Sequence, residues 1–265
     1  MARYRTLFIP ILALCALVSF ASNTKQKAAS NSQAADYAAQ AIAALTGGQT
    51  ISDASLTGTA NWTVGADIEN GTASFLALGT GESRMDLSLS SGSRTEIRDA
   101  STGTPLGKWI AQDGSTGKFA FHNCQTDAVW FFPALGSLAG GTNVTFSYVG
   151  QEVHNGEAVQ HIQSYVYQVA PSAVPGPTLQ LLSTEDFYLD ATTLLPAAIA
   201  YNVHPDKDAG LNLPVEIDLS NYQSVNGIAV PMHIQKLLQG TVMIDLTISG
   251  ATFNSGIPLS QFTIN

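Results

Sequence analysis

Ser115-Thr116-Gly117-Lys118 sets a hydroxyl and an amine three residues apart, the spacing that on a helix puts an acylating serine one turn from its lysine base. Here the four residues follow Asp113-Gly114, a turn dipeptide, and no Lys-Thr-Gly occurs elsewhere, so the pattern marks a hairpin tip rather than a nucleophile. His204-Pro205-Asp206-Lys207-Asp208 offers an imidazole and two carboxylates to a cation, and His122-Asn123-Cys124 offers an imidazole and a thiol. Neither has the His-x-x-x-His or Cys-x-x-Cys spacing that closes a metal site. His154 and His161 flank Asn155-Gly156 with no third ligand beside them, which makes them structural. No Gly-x-Ser-x-Gly, nucleotide-binding glycine loop or zincin motif occurs. The expectation is a chain that is not an enzyme and needs neither cofactor nor metal.

The elements that carry these residues are mostly strands. In 56–64, Leu56, Ala60, Trp62 and Val64 share one side against Thr57, Thr59, Asn61 and Thr63. Met85, Leu87 and Leu89 repeat the alternation, as do Val215, Ile217 and Leu219 against Glu216 and Asp218, and Ile244, Leu246 and Ile248 against Asp245 and Thr247. One covered and one solvated face is the pattern of antiparallel sheet. Asn70-Gly71, Asp113-Gly114, Asn155-Gly156 and Asn226-Gly227 supply the residues a tight hairpin turn needs. About ten strands are expected, and a meander that long curls under its own twist into a half-open β-barrel.

Two helical features break the meander. Ala34, Tyr37, Ala38, Ala41, Ile42 and Leu45 recur at helical spacing between Ser32, a candidate N-cap, and Gly47-Gly48, which predicts an amphipathic helix over about 33–46 lying on the sheet. Val129-Trp130-Phe131-Phe132-Pro133 forms an apolar cluster that predicts a short helical plug within 122–141. Residues 170–178 hold three prolines and form a loop. The fold class is therefore mainly β with a helical plug, one domain over 34–265.

Arg3 and Arg5 precede an apolar run from Leu7 to Phe20 and a small-residue site at Ala21, the layout of a secretory signal peptide over 1–21. The run is shorter than the roughly 20 residues of a bilayer span, and Leu14 before Cys15 argues against a lipid anchor. Residues 22–33 form a small, polar tether. Cleavage leaves nine basic residues against twenty acidic, a net charge of −11 that excludes nucleic acid as a partner. No further segment reaches membrane-span length, so the expected product is a soluble periplasmic or secreted monomer. Cys124 alone remains and cannot form an intramolecular disulfide.

The order of helix, meander, plug and closing strands resembles the LolA/LolB-like superfamily of lipoprotein carriers, receptors and related periplasmic half-barrels. The matching wording is Phe187-Tyr188-Leu189-Asp190 with Thr193-Leu194-Leu195-Pro196, then Tyr222, Val225, Gly227, Val230 and Pro231, then Phe253 through Phe262. In that family the middle stretch is a hairpin on the sheet and the closing phenylalanine caps the barrel. The chain departs from the carriers in length, near 122–141 and 200–214, and in lacking a match for the arginine that latches their lid helix. The resemblance implies an acyl chain or a lipoprotein's lipid moiety as partner. Trp62, Phe75, Met85, Trp109, Phe146 and Ile244, with the plug residues Trp130, Phe131 and Phe132, are the candidate lining of an apolar cavity. The alternative is a structural or protein-interaction β-domain in which the same side chains pack on one another and hold no ligand.

Overall fold

The computed structural model describes residues 31–102, 104–126, 143–167 and 176–264. The stretch expected to be a leader, most of that expected to be a tether, and Trp130, Phe131 and Phe132 of the expected plug lie outside the described residues.

The first half of the sheet is β1 (Asp53–Val64), β2 (Asp67–Leu78), β3 (Ser83–Leu89), β4 (Gly92–Asp99), β5 (Leu106–Ile110) and β6 (Thr116–Lys118). The second half is β7 (Val144–His154), β8 (Glu157–Val166), β9 (Glu185–Asp190), β10 (Pro196–Val203), β11 (Leu213–Val225), β12 (Ile228–Leu238) and β13 (Thr241–Phe253). Every strand pairs antiparallel with its sequence neighbours except β6 with β7, and β13 returns to pair with β1, so among the described residues one thirteen-stranded sheet runs from β6 at one edge to β7 at the other. The count exceeds the expected ten because some strands hide their pattern. Thr116–Lys118 is three residues long, and Pro196–Val203 is an apolar run without clean alternation.

Asn155-Gly156 and Asn226-Gly227 form the expected tight turns, with φ of +50° and +86°, and +53° and +84°. Asn70-Gly71 does not. It lies inside β2, Asn70 opposite Asn61 and Gly71 opposite Ala60, and the β1–β2 turn sits at Gly65 instead. Gly71 is needed for close approach: a Cβ there would run into the Ser88 carbonyl of β3. Gly58, at a bulge in β1, meets Thr247 of β13 in the same way.

The N-terminal helix α1 (Ser32–Thr46) forms where its spacing placed it. Its N-cap is Asn31 rather than Ser32, because the Asn31 Oδ1 accepts the Gln33 N–H at 2.9 Å. Ala34, Ala38, Ala41 and Leu45 form its buried stripe. α1 touches β7 and β8 on one side and β12 on the other, so the sheet wraps around it. The helix stops at Gly47, φ +59°, where a Cβ would strike the Gly227 carbonyl of the β11–β12 turn. Replacing Gly47 by alanine is expected to cost about 2 kcal/mol, from the left-handed backbone and the collision together, as read by urea unfolding. A second short helix, α2 (Gly176–Ser183), begins inside the stretch expected to be loop, with Pro177 in the first turn where a proline is tolerated, and packs on β8 and β10.

Phe262 is fully buried, as the resemblance implies, but not in the concave core. The 3₁₀ turn Leu259–Phe262 packs against β3 and β4, where Arg84 donates to the Gln261 carbonyl. By alternation Arg84 faces away from Met85 and Leu87, so Phe262 covers the outer side of these strands.

Candidate functional site

The concave face gathers the inward residues of both halves. Phe75, Met85, Phe146 and Ile244 join Ile162, Phe187, Ile199, Ile217 and Ile234 in one buried cluster with the α1 stripe, and Trp62 packs half-buried at its margin. Trp109 stands outside this cluster. It is level with Glu96 on β4, and its indole lies over Gly117 of β6, where a Cβ would collide with the ring. Trp130, Phe131 and Phe132, expected to complete the lining, are outside the described residues.

Register places charges on this face that alternation in the sequence concealed. Glu96 pairs with Met85 and Arg94 with Leu87, so Arg94, Glu96 and Arg98 share the concave side. The Arg94 Nε and Nη2 donate to Glu96 Oε1 at 2.9 and 2.6 Å, and the guanidinium lies 5.0 Å from the Trp62 ring centre. Arg98 donates to the backbone carbonyls of Gly81 and Cys124. Phe75, Met85, Glu96, Arg98, Phe119 and Cys124 bound a cavity of about 30 Å³, room for a single water. Elsewhere on the concave face α1 and the cluster pack together over β7, β8 and β12.

The residues weighed for other chemistry are placed apart from it. Ser115 and Lys118 sit at the β5–β6 hairpin, and the Ser115 N–H is bound by the Asp113 carboxylate at 2.8 Å. His122 and His204 do meet, ring centres 5.9 Å apart, and Asn123 joins them by bonds to the His204 backbone. His204 is buried with its Nδ1 donating to the Leu211 carbonyl, while Asp206 and Asp208 point to solvent. Among the described residues no group of three or more His, Cys, Asp or Glu is placed to hold a metal ion. Cys124 is buried, its thiol 3.6 Å from the Ala120 carbonyl. Tyr222 ties β11 to β10 by donating to the Pro196 carbonyl at 2.7 Å, and burial pushes its phenol well above the usual range. The histidines of the β7–β8 hairpin converge on one ring rather than on each other: His154 stacks on Tyr188 at 3.7 Å and His161 lies 4.5 Å from it.

A half-open antiparallel sheet wrapped around an N-terminal helix defines a class of fold. No protein-family model matches the sequence, and no curated protein sequence matches it. Two solved structures share the architecture over most of both chains. A domain named for outer-membrane lipoprotein sorting, from Vibrio parahaemolyticus, is 12% identical with a TM-score of 0.53, over 87% of this chain and 96% of that one. A DUF1329 family protein from Desulfovibrio piger is 9% identical with a TM-score of 0.53, over 88% and 96%. A LolA superfamily protein from Nitrosomonas europaea is 10% identical with a TM-score of 0.49, over 87% and 97%. At these identities the likeness establishes the fold alone, a half-open antiparallel sheet around a helix. Among the described residues no helix is long and apolar enough to cross a membrane.

Proposed function

We propose that this protein is an exported, non-catalytic carrier or sensor that holds an acyl chain against the concave face of its sheet, with α1 as the cover that moves aside. The observation that carries this reading is the composition of the α1 stripe. Three of its four buried residues, Ala34, Ala38 and Ala41, are alanines set against Ile, Phe and Leu side chains of the sheet. Burying three methyl groups and Leu45 is worth roughly 4 to 6 kcal/mol, while a dozen acyl methylenes are worth on the order of 10 kcal/mol before ordering costs. A chain of that length therefore competes with α1 for the same surface. The C-terminal end of the helix stays hinged to the sheet through Gln49, whose side-chain amide donates to the Asn226 carbonyl at 2.9 Å. Export, periplasmic location and the monomeric state belong to this proposal and rest on the leader pattern and on the fold.

Hydrogen exchange with and without myristate tests it. The amides of Ser32–Thr46 are expected to exchange several-fold faster with the fatty acid, while β11–β13 hold or gain protection. Unchanged exchange in α1 would count against the cover, because the α1 stripe is packed in the buried cluster of the sheet and a chain can reach that surface only if the helix moves.

A second reading has its own observation. β7 is a sheet edge, and Val149 and Val153 on it are 55% and 73% exposed, a surface suited to protein contact. On that reading the concave face is an ordinary core and myristate leaves every amide unchanged.

A further inference from the structure

A groove of about 570 Å³ crosses the outer face of the sheet, between the β7–β8 tip and strands β10 and β11. Ala197, Ala198 and Ala200 line it, and such small side chains leave room for the tip to lie over the strands. The tip is fixed by three bonds and one stack. The His154 ring lies parallel to Tyr188, its planes 8° off, and its Nε2 is 2.9 Å from Glu216 Oε1. The Asn155 side-chain amide donates to Glu216 at 2.8 Å and to Asp218 at 3.2 Å. The tip of one hairpin is thus tied to two carboxylates on β11. We propose that the β7–β8 tip is an acid-tightened strap, closing over the outer-face groove in mildly acidic solution and loosening as the solution turns neutral or alkaline.

Glu216 and Asp218 are two residues apart on β11 and share its outer face. When both are ionised, one imidazole and one amide must hold two adjacent negative charges. Burial, then the neighbouring Glu216, push the Asp218 carboxyl up to about 6. Burial also works against ionised Glu216, but hydrogen bonds from Asn155, His154 and Asp218 outweigh it and hold that group below its ordinary range. As pH falls through about 6 the proton goes to Asp218, which then donates to Glu216, and the second charge disappears.

The other charged groups around the tip do not reverse the sign. Glu157 faces His154 across the hairpin, and Glu152 and Asp186 bracket His161 at 3.0 and 2.8 Å. His154 itself and His233 on β12, which is 3.0 Å from Asp245 on β13, both oppose the proton on Asp218, but burial and Glu216 outweigh them. Burial and the carboxylates of Asp186, Glu152 and Glu216 push Tyr188 up to about 12, so the ring under His154 stays neutral. Because the folded Asp218 titrates above its ordinary value, its contribution is complete in acid and lost as pH rises through about 6.

Hydrogen exchange of the full protein at about pH 5.5 and about pH 7.5, corrected for intrinsic exchange and referenced to β12, tests the strap. Protection of the amides of 152–158 is expected to be roughly three- to tenfold higher at the lower pH. In Asp218→Asn the tip is expected to keep acid-level protection at both values. In His154→Phe, which keeps the stack and loses the bond, protection is expected to be low at both. Equal wild-type protection at the two pH values, or the wild-type difference persisting in Asp218→Asn, would overturn the proposal.

Discussion

Phe187→Ala is expected to lower the unfolding free energy by about 3 to 5 kcal/mol, the largest single loss on the concave face. Phe187 is fully buried on β9, directly between Ile162 on β8 and Ile199 on β10, so nothing adjacent can slide in to fill the gap without breaking the ladder. Urea unfolding read by circular dichroism measures the loss, and an unchanged slope with a lower midpoint shows that the fold is otherwise kept. The functional account adds a second expectation. A fatty acid that binds the concave face stabilises the folded state by mass action, so saturating myristate should return part of what the mutation removes. No recovery, in a variant that still folds, would separate this core from the ligand surface.

Asp53→Ala is expected to cost about 3 kcal/mol at neutral pH, because it releases the chain that follows β13. The Asp53 carboxylate is buried at the start of β1 and accepts from the Ser255 N–H and hydroxyl at 2.8 and 2.9 Å, the Gly256 N–H at 3.0 Å and the Ser52 hydroxyl at 3.1 Å. Burial alone would raise its pKa, but the bonds from Ser255, Gly256 and Ser52 prevail and hold the group below its ordinary range. A depressed folded pKa stabilises above the unfolded value of about 3.9 and is lost as pH falls through the folded one. The gap between wild type and variant should therefore be full at neutral pH and shrink below about pH 4. A gap independent of pH would show that shape, not charge, closes this loop. Limited proteolysis after Phe253 gives an independent reading, since the same segment carries Phe262 onto β3 and β4.

Much of this architecture was legible in the residues, and the exceptions have physical causes. Clean alternation exposed β3, β11 and β13, and the three- and four-residue spacing of small apolar residues exposed α1, because in each case one face alone is buried. β8 was harder to read, since Val159, Gln160, His161 and Ile162 are buried in succession and leave no period. Asn70-Gly71 misled because a glycine demanded by close strand approach looks the same as one demanded by a turn. On the concave face Met85 and Ile244 follow from alternation, and Phe75 and Phe146 lie in the same buried cluster. Arg94 and Glu96 did not stand out because β4 shows no clean alternation, and its one buried apolar residue, Ile97, lies on the other face. Only the pairing register with β3 decides that face. The strap residues were hidden for a related reason: His154, Tyr188 and Glu216 each belong to a solvated face, and only the bend of a hairpin tip across the sheet brings them together.

The most direct test of an acyl-binding role is native mass spectrometry of the protein expressed from its full sequence and purified without detergent, followed by organic extraction. The account predicts a discrete adduct that extracts as a fatty-acyl species and disappears on delipidation with recovery of the bare mass. A bare mass from the start, with no uptake of added myristate, would contradict it and leave the half-barrel as a scaffold for protein contacts.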